Sequence, residues 1–456
     1  MSSTIQLETA FALKLADRIG QLRATPMRVG GERLILAAHS ADFDVDPYTE
    51  MFFFPQDTLH LSAFDVSGRV VWRRDLGRAV VPGMWFCPVL AMDLDEDGSD
   101  EVYFVNNTDP GHPLAHGSYV LEQLDAGTGL TRAQWPWPAE TRHDTLSHAF
   151  RNFLIAGRSG SKPVLVCAQG TYHAMDLQGY GPGMSRRWRT WIAADAPGAR
   201  GSHRCPVVDF DGSGRECLMW GERCIGLDDG AERFCCDLDV YQGHSDRIEP
   251  LLDEATGRWR IFTIREGHDL ASPRVVMFDQ TGKRLWGAVD RGHMDMGWVA
   301  RVLDDHRHAC MAIRIGAKTC GPDGRFHRRM DEYLFNAADG SPLTFPTSLY
   351  RTQPIDLNGD GYHELIRADP SGDGEVLDRH GASVGTVGGP CALLQKLTDH
   401  PGEQALSYHE DGVVRLWFDA HARDSEPALR RHAHPMYQRN ARLMATGSNI
   451  GVLGGI

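Results

Sequence analysis

Carboxylates recur at alternate positions in three loops of this 456-residue chain: Asp93, Asp95 and Asp97 ahead of Glu101; Asp209 and Asp211 ahead of Glu216; and Asp356, Asn358 and Asp360 ahead of Glu364. Where a backbone turns tightly, side chains two apart converge on one point. A set of oxygen donors gathered this way suits a hard cation such as Ca2+, with glycine permitting the turn. In an EF-hand such a loop joins two helices. Here the flanks, PVLAM at 88–92 and EVYFV at 101–105, read as strands, so each loop is a β-hairpin turn and its calcium would be structural.

A second chemistry comes from histidine, arginine and tyrosine. Ser147-His148 with Arg151, Tyr172-His173, Arg200, His203, Gly243-His244-Ser-Asp246, His268, His293 and Tyr350-Arg351 all fall between apolar runs. Arginine grips a carboxylate bidentately, and histidine exchanges protons near neutral pH. Elimination across a uronic acid needs these parts. Neutralising the carboxylate acidifies the hydrogen at C5, a base removes it, and an acid protonates the leaving glycosidic oxygen. On this reading Arg200 or Arg351 holds the carboxylate and His148 or Tyr172 moves the protons. Trp85, Asn107, His116, Arg151, His173, His268, His293 and Tyr437 would line the sugar subsites. A glycoside hydrolase would instead need two carboxylic acids at a set separation.

Two histidines and two cysteines suggest a further metal. His203 and His244 precede successive repeats, Cys224 opens one strand and Cys235 closes another, and two imidazoles with two thiolates suit tetrahedral Zn2+. Cys236 is the rival for Cys235. Four protein ligands would make that zinc a structural clamp.

The elements that must position these groups are short strands. From Asp93 to Asp209 is 116 residues and from Asp209 to Asp356 is 147, two and three units of roughly fifty to sixty residues. Weaker copies of the run-turn-run pattern lie at 28–38, 153–167, 250–263, 299–315 and 393–408, and polar turns such as Leu124-Asp-Ala-Gly127 close second hairpins. The expectation is an all-β chain, a single β-propeller of eight four-stranded blades with seven as the fallback. Residues 26–456 would form the propeller and 1–25 an amino-terminal segment. The aspartate loops then share one face, and the histidine-rich segments share the opposite mouth.

Composition narrows the setting. A net charge of −14 argues against nucleic acid, and no apolar stretch is long enough to span a membrane. The ten cysteines lack disulfide-scaffold spacing. With no signal-peptide pattern, the chain as written is expected in the cytoplasm, or secreted or periplasmic if a leader has been removed.

The stretches Val71-Trp-Arg-Arg-Asp-Leu-Gly77 through Asp95, Gly201-Ser-His203 before Asp209, Gly243-His244-Ser-Asp246 and Tyr437-Gln-Arg-Asn440 onward resemble rhamnogalacturonan lyases of the eight-bladed propeller type. The resemblance implies a calcium-binding enzyme that cleaves rhamnose–galacturonate bonds by β-elimination. Tyr350-Arg351 stands where that family commonly has a lysine, and arginine cannot serve as a base. The His148, Tyr172 and Arg200 group is similar in function to that of ulvan lyases, also propellers. The preferred expectation is a polysaccharide lyase acting on an acidic, rhamnose-containing glycan. A non-catalytic glycan- or protein-binding propeller and a propeller glycoside hydrolase are the alternatives.

Overall fold

In the computed structural model, which describes residues 5–137, 145–266, 273–320, 326–446 and 452–456, the strands form eight four-stranded antiparallel sheets. Blades one to seven each use four strands consecutive in the chain, spanning residues 21–75, 89–136, 152–192, 207–235, 245–288, 293–343 and 352–386. The expected eight-bladed propeller is present, and the aspartate loops join the first and second strands of blades two, four and seven.

Blade eight departs from the expected boundaries. It takes three strands from 391–419 and its outermost from Leu7–Lys14, which pairs antiparallel with Val413–Asp419. The described part of 1–25, from Ile5 on, is therefore not a separate segment: one part closes the ring, and Gln21–Val29 is the innermost strand of blade one. The reason the closing strand escapes a sequence reading is its position. At the rim of the disc only Phe11 of Leu7–Lys14 is buried, which leaves no alternating apolar signal.

Burial explains the blade pattern. Inner strands such as Val89–Met92 and Thr352–Ile355 are buried at every position because neighbouring blades cover both faces, whereas the outer strand Thr131–Pro136 is mostly exposed. Tryptophans rivet neighbours together. The indole N–H of Trp72, Trp188 and Trp286 donates to the carbonyls of Ala126, Leu227 and Ala337 in the next blade, at 2.7, 2.9 and 3.1 Å. Each ring lies over a glycine, Gly129, Gly230 or Gly340, whose added Cβ would come within 2.6, 2.5 or 2.7 Å of it.

The carboxyl-terminal residues plug the ring on the aspartate-loop face. Helices Glu426–Ala433 and Pro435–Asn440 lead into the turn Ala441–Leu443, and the described residues 452–456 end at the buried Ile456. Asn440 completes the ladder of blade four, donating to Val207 O at 2.8 Å and accepting from Val207 N at 2.9 Å. Thr25 of blade one donates to Arg442 O at 2.8 Å. Tyr437 belongs to this plug and not to a sugar subsite: its hydroxyl donates to Glu403 Oε1 at 2.6 Å and accepts from Lys396 N at 2.7 Å.

Three arginines of the plug answer the acidic loops. Arg431 meets Asp356 Oδ2 at 2.8 Å, Arg439 meets Glu216 Oε2 at 3.1 Å, and Arg442 pairs with Asp100. In the third loop the Asn358 amide also donates to Asp360 and Glu364, and Arg431 takes Asp356 Oδ2, while Asp356 Oδ1 is buried without a hydrogen-bond partner. In the second, Asp209 Oδ2 accepts from Gly214 N and Asp211 from Ser213 N, while Asp209 Oδ1 is buried without a hydrogen-bond partner. Among the described residues, the one of these three loops that gathers a ligand set is the first, Asp93, Asp95, Asp97 and Glu101, with one donor atom from each within 4.8 Å of the others.

Candidate active site

Two lead-in segments run side by side at the mouth. Arg200 N donates to Gly243 O and Ser245 N to Gly201 O, and Ser202 bridges Ser245 in parallel. Gly201 takes φ +84°, and a side chain there would press on Trp220 and Thr171. The pairing sets the His203 and His244 rings 4.4 Å apart, with Tyr172 4.4 Å from His244.

Bulges complete the group. In blade five Ser245 pairs with Arg265 and Arg247 with Ile264, leaving Asp246 as the extra residue; in blade six Met294 pairs with Arg314 and Met296 with Ile313, leaving Asp295. A bulge re-aims the side chain it frees. Both carboxylates join the central cluster: Asp246 Oδ1 lies 3.8 Å from His203 Nε2 and 3.9 Å from His244 Nε2, and Asp295 lies 3.7 Å from His293 Nε2. Glu266, following the second strand of blade five, sits 3.7 Å from His244 and 3.5 Å from His293.

The electrostatics of this cluster are unbalanced. Burial, with Glu266 and Asp295 nearby, raises the Asp246 carboxyl well above its usual range, and burial raises Glu266. Burial, reinforced by His244 and Arg151, holds His203 well below the usual imidazole value, and burial first and Arg151 next push His244 down to about 3. The imidazoles are therefore neutral and able to ligate. One atom from each of His203, His244, Asp246 and Glu266 lies within 4.8 Å of the rest, and His244 Nε2 is buried without a hydrogen-bond partner. Crowded carboxylates beside neutral imidazoles fit a divalent cation.

Proton carriers and a cation stand around that donor set. The Tyr172 hydroxyl lies 3.1 Å from both His203 Nε2 and Glu266 Oε2, and burial raises its pKa well above the ordinary phenol value, so it is protonated at neutral pH. Arg151 donates to Asp46 Oδ1 at 3.0 Å and to Ser147 Oγ at 3.1 Å. Its guanidinium centre lies 5.2 Å from the Trp85 ring and 5.1 Å from the Tyr172 ring. Trp85 in turn packs 4.9 Å from His203.

The expected residues thus divide. Tyr172, Arg151, Trp85, His203, His244 and His293 come together. His148 and His173 stack on each other at 4.8 Å, His148 standing at the end of the helix Leu146–Ala149. Arg200 turns back to Ala196 O, beside Arg223, Asp195 and Cys235. Arg351 lies in blade seven with φ +64°, donating to Ser371 O at 2.7 Å over the Tyr350 ring. Asn107 shapes its own loop, donating to His112 O and accepting from Asp109 N. His116 lies in the turn His116–Ser118, and His268 lies outside the described residues.

The zinc clamp does not form as expected. Cys224 packs in an apolar cluster with Met219, Cys236 and Ile248 and interacts with Cys217, while Cys235 packs against Ala199 and Tyr241. Cys224 packs between blades four and five and Cys235 against the lead-in segments, and carboxylates take the place of the thiols beside the histidines. Asp246, Glu266 and Asp295 are the residues that sequence reasoning left unassigned. The signal for Asp246 was its position two after His244.

No family model matches the chain. It is 24% identical over 292 residues to the rhamnogalacturonan exolyase YesX of Bacillus subtilis (strain 168), covering 52% of this chain and 48% of that protein. To the rhamnogalacturonan endolyase YesW of the same organism it is 24% identical over 298 residues, covering 58% and 46%. The chain spans about half the length of the curated relatives it matches. Among solved structures, it is similar to the exotype rhamnogalacturonan lyase YesX, with a TM-score of 0.75 at 19% identity over 93% of this chain and 76% of that one. To a rhamnogalacturonan lyase of Bacillus licheniformis the TM-score is 0.70 at 18% identity, over 94% and 76%. At these identities the likeness establishes one thing about this chain, a propeller fold shared with rhamnogalacturonan lyases.

Proposed function

We propose that this chain is a polysaccharide lyase that cleaves rhamnose–uronate bonds of an acidic glycan by β-elimination. The observation that carries the reading is the group at the mouth: the Tyr172 phenol 3.1 Å from the Glu266 carboxylate, with imidazoles 3.5–3.9 Å from carboxylates and Arg151 alongside. The names of the relatives supply the substrate class.

Within this reading Arg151 orients the uronate carboxylate, in place of Arg200 or Arg351. His293, with its Nε2 3.5 Å from Glu266 Oε1 on the more exposed side, takes the C5 hydrogen. Tyr172 gives its proton to the departing glycosidic oxygen; the electron pair of the broken C–H bond becomes the new double bond, and the C4–O bond breaks. Trp85 holds Arg151 and the sugar in register. His203, His244, Asp246 and Glu266 would hold a divalent cation, which when bound supplies positive charge to the uronate carboxylate. A structural calcium is proposed for Asp93, Asp95, Asp97 and Glu101.

Incubation with rhamnogalacturonan and with homogalacturonan tests the function. The expected result is new ultraviolet absorbance from an unsaturated uronate with the former, and product masses lower by one water than those of hydrolysis. Saturated products would make the chain a hydrolase, and saturable binding without cleavage would make it a glycan-binding module.

A further inference from the structure

Exposed apolar side chains are concentrated in one loop of blade one. Among the described residues, five of the eleven exposed large hydrophobics, Phe43, Tyr48, Met51, Phe53 and Phe54, lie within residues 43–54, and Phe54 is 72% exposed. This loop joins the second and third strands of blade one, so it stands on the mouth face. It is tied to the candidate active site at one end, where Asp46 accepts from Arg151 at 3.0 Å. A turn follows, with Met51 N and Phe52 N both donating to Tyr48 O.

Beyond that turn the loop walls a cavity of about 130 Å3 with Phe52, Phe54, Val80 and Leu114, and Asp57 and Arg78 stand at its edge. Drug-sized ligands need roughly 300 Å3 or more. This space admits one small ring or a substituent of one. Phe52 continues toward the active site through Phe86, 6.2 Å away, which adjoins Trp85, the residue over His203. Asp57 Oδ2 accepts from Ala41 N at 2.7 Å and from Ser40, and its Oδ1 stands 3.7 Å from His60. Arg78, exposed at the edge, offers donors to ring hydroxyls or a neighbouring carboxylate.

We propose that this cavity is a distal subsite that takes the methyl group of a 6-deoxyhexose, with Phe54 stacked on the sugar ring. The proposal rests on the lyase reading above and deepens it by naming how a rhamnose unit away from the cut bond is recognised. A hydroxymethyl group entering the same apolar walls would bury a hydroxyl without a partner, which disfavours the ordinary hexose by about tenfold or more.

The probes are methyl α-L-rhamnopyranoside and methyl α-L-mannopyranoside, the same ring with a 6-hydroxyl. Each is titrated into the full chain and followed by saturation-transfer NMR, with Phe54→Ala and Leu114→Asn as variants whose folding is checked by thermal melting. Expected are at least tenfold tighter binding of the rhamnoside, strongest transfer at its methyl protons, and loss of that preference in both variants. In turnover, both should raise KM for long oligosaccharides several-fold and leave kcat unchanged. Equal binding of the two glycosides, or a preference that survives Leu114→Asn, overturns the subsite. Absent rhamnoside binding together with a dimer in sedimentation assigns the patch to a second copy and also overturns it. Rhamnoside preference without any unsaturated product sinks the lyase reading and leaves the subsite standing.

Discussion

Replacing Tyr172 by Phe removes one oxygen and leaves the ring in place. That oxygen is 3.1 Å from His203 Nε2 and from Glu266 Oε2. Two consequences separate in size. A lost general acid costs about 10²–10⁴ in rate, or roughly 3–5 kcal/mol of barrier. The structural cost is one hydrogen bond to a partly buried carboxylate, about 1–3 kcal/mol. For a chain of 456 residues, unfolding entropy near 2.1 cal/mol/K per residue makes each kcal/mol worth only about 1 °C. The variant should therefore lose 10²–10⁴ in kcat, read from the initial rate of ultraviolet absorbance on rhamnogalacturonan, while its Tm falls by about 1–3 °C. An unchanged kcat would remove Tyr172 from proton transfer. A Tm drop of ten degrees or more would make it a packing residue.

Three further outcomes are expected. His244→Ala should lower divalent metal content, measured by elemental analysis of dialysed protein, and lower activity with it; unchanged content would dissolve the His203–His244–Asp246–Glu266 ligand set. Arg431→Met strips the buried Asp356 of its cation and the His363 ring of its 3.1 Å partner, which should cost about 3–5 kcal/mol and a similar number of degrees in Tm, with Asp356→Asn recovering part of the loss; no change in Tm would refute the role of the plug arginines. His39 is buried against His60 and Ser62, and burial lowers its pKa from 6.5 to about 4. Between those values the unfolded chain binds the extra proton, so stability falls as pH drops through this window, by up to about 3 kcal/mol. Denaturant melts at pH 7 and pH 4 should show a smaller loss in His39→Gln than in the parent, and equal losses would refute the assignment.

Much of the architecture was legible because it is written in local patterns. The aspartate loops between apolar runs, the inner strands buried at every position and the polar hairpin turns all report on residues a few positions apart, and they led to eight blades. The rim strand Leu7–Lys14 was not legible, since an edge exposed on most positions carries no apolar period and its partner is some four hundred residues away. The same limit governs the site. Sequence marked Tyr172, Arg151, His203, His244 and His293 as residues of one mouth, because propeller topology assigns whole loops to a face. Which side chains on that face touch was decided by geometry that no spacing encodes: the bulges that turn Asp246 and Asp295 inward, and the paired lead-in segments that set His203 against His244. Cys224 and Cys235 reach the same end of the blade, yet Cys224 packs into the apolar cluster between blades and Cys235 against Ala199 and Tyr241, so carboxylates stand where the thiols were expected. Tyr437, Arg431 and Arg442 show the remaining case, since a tail of ordinary helical sequence takes its meaning from the ring it plugs. Local pattern therefore determined the strands and the faces, and only long-range packing, which fixes side-chain direction to within an ångström, decided the chemistry at the centre.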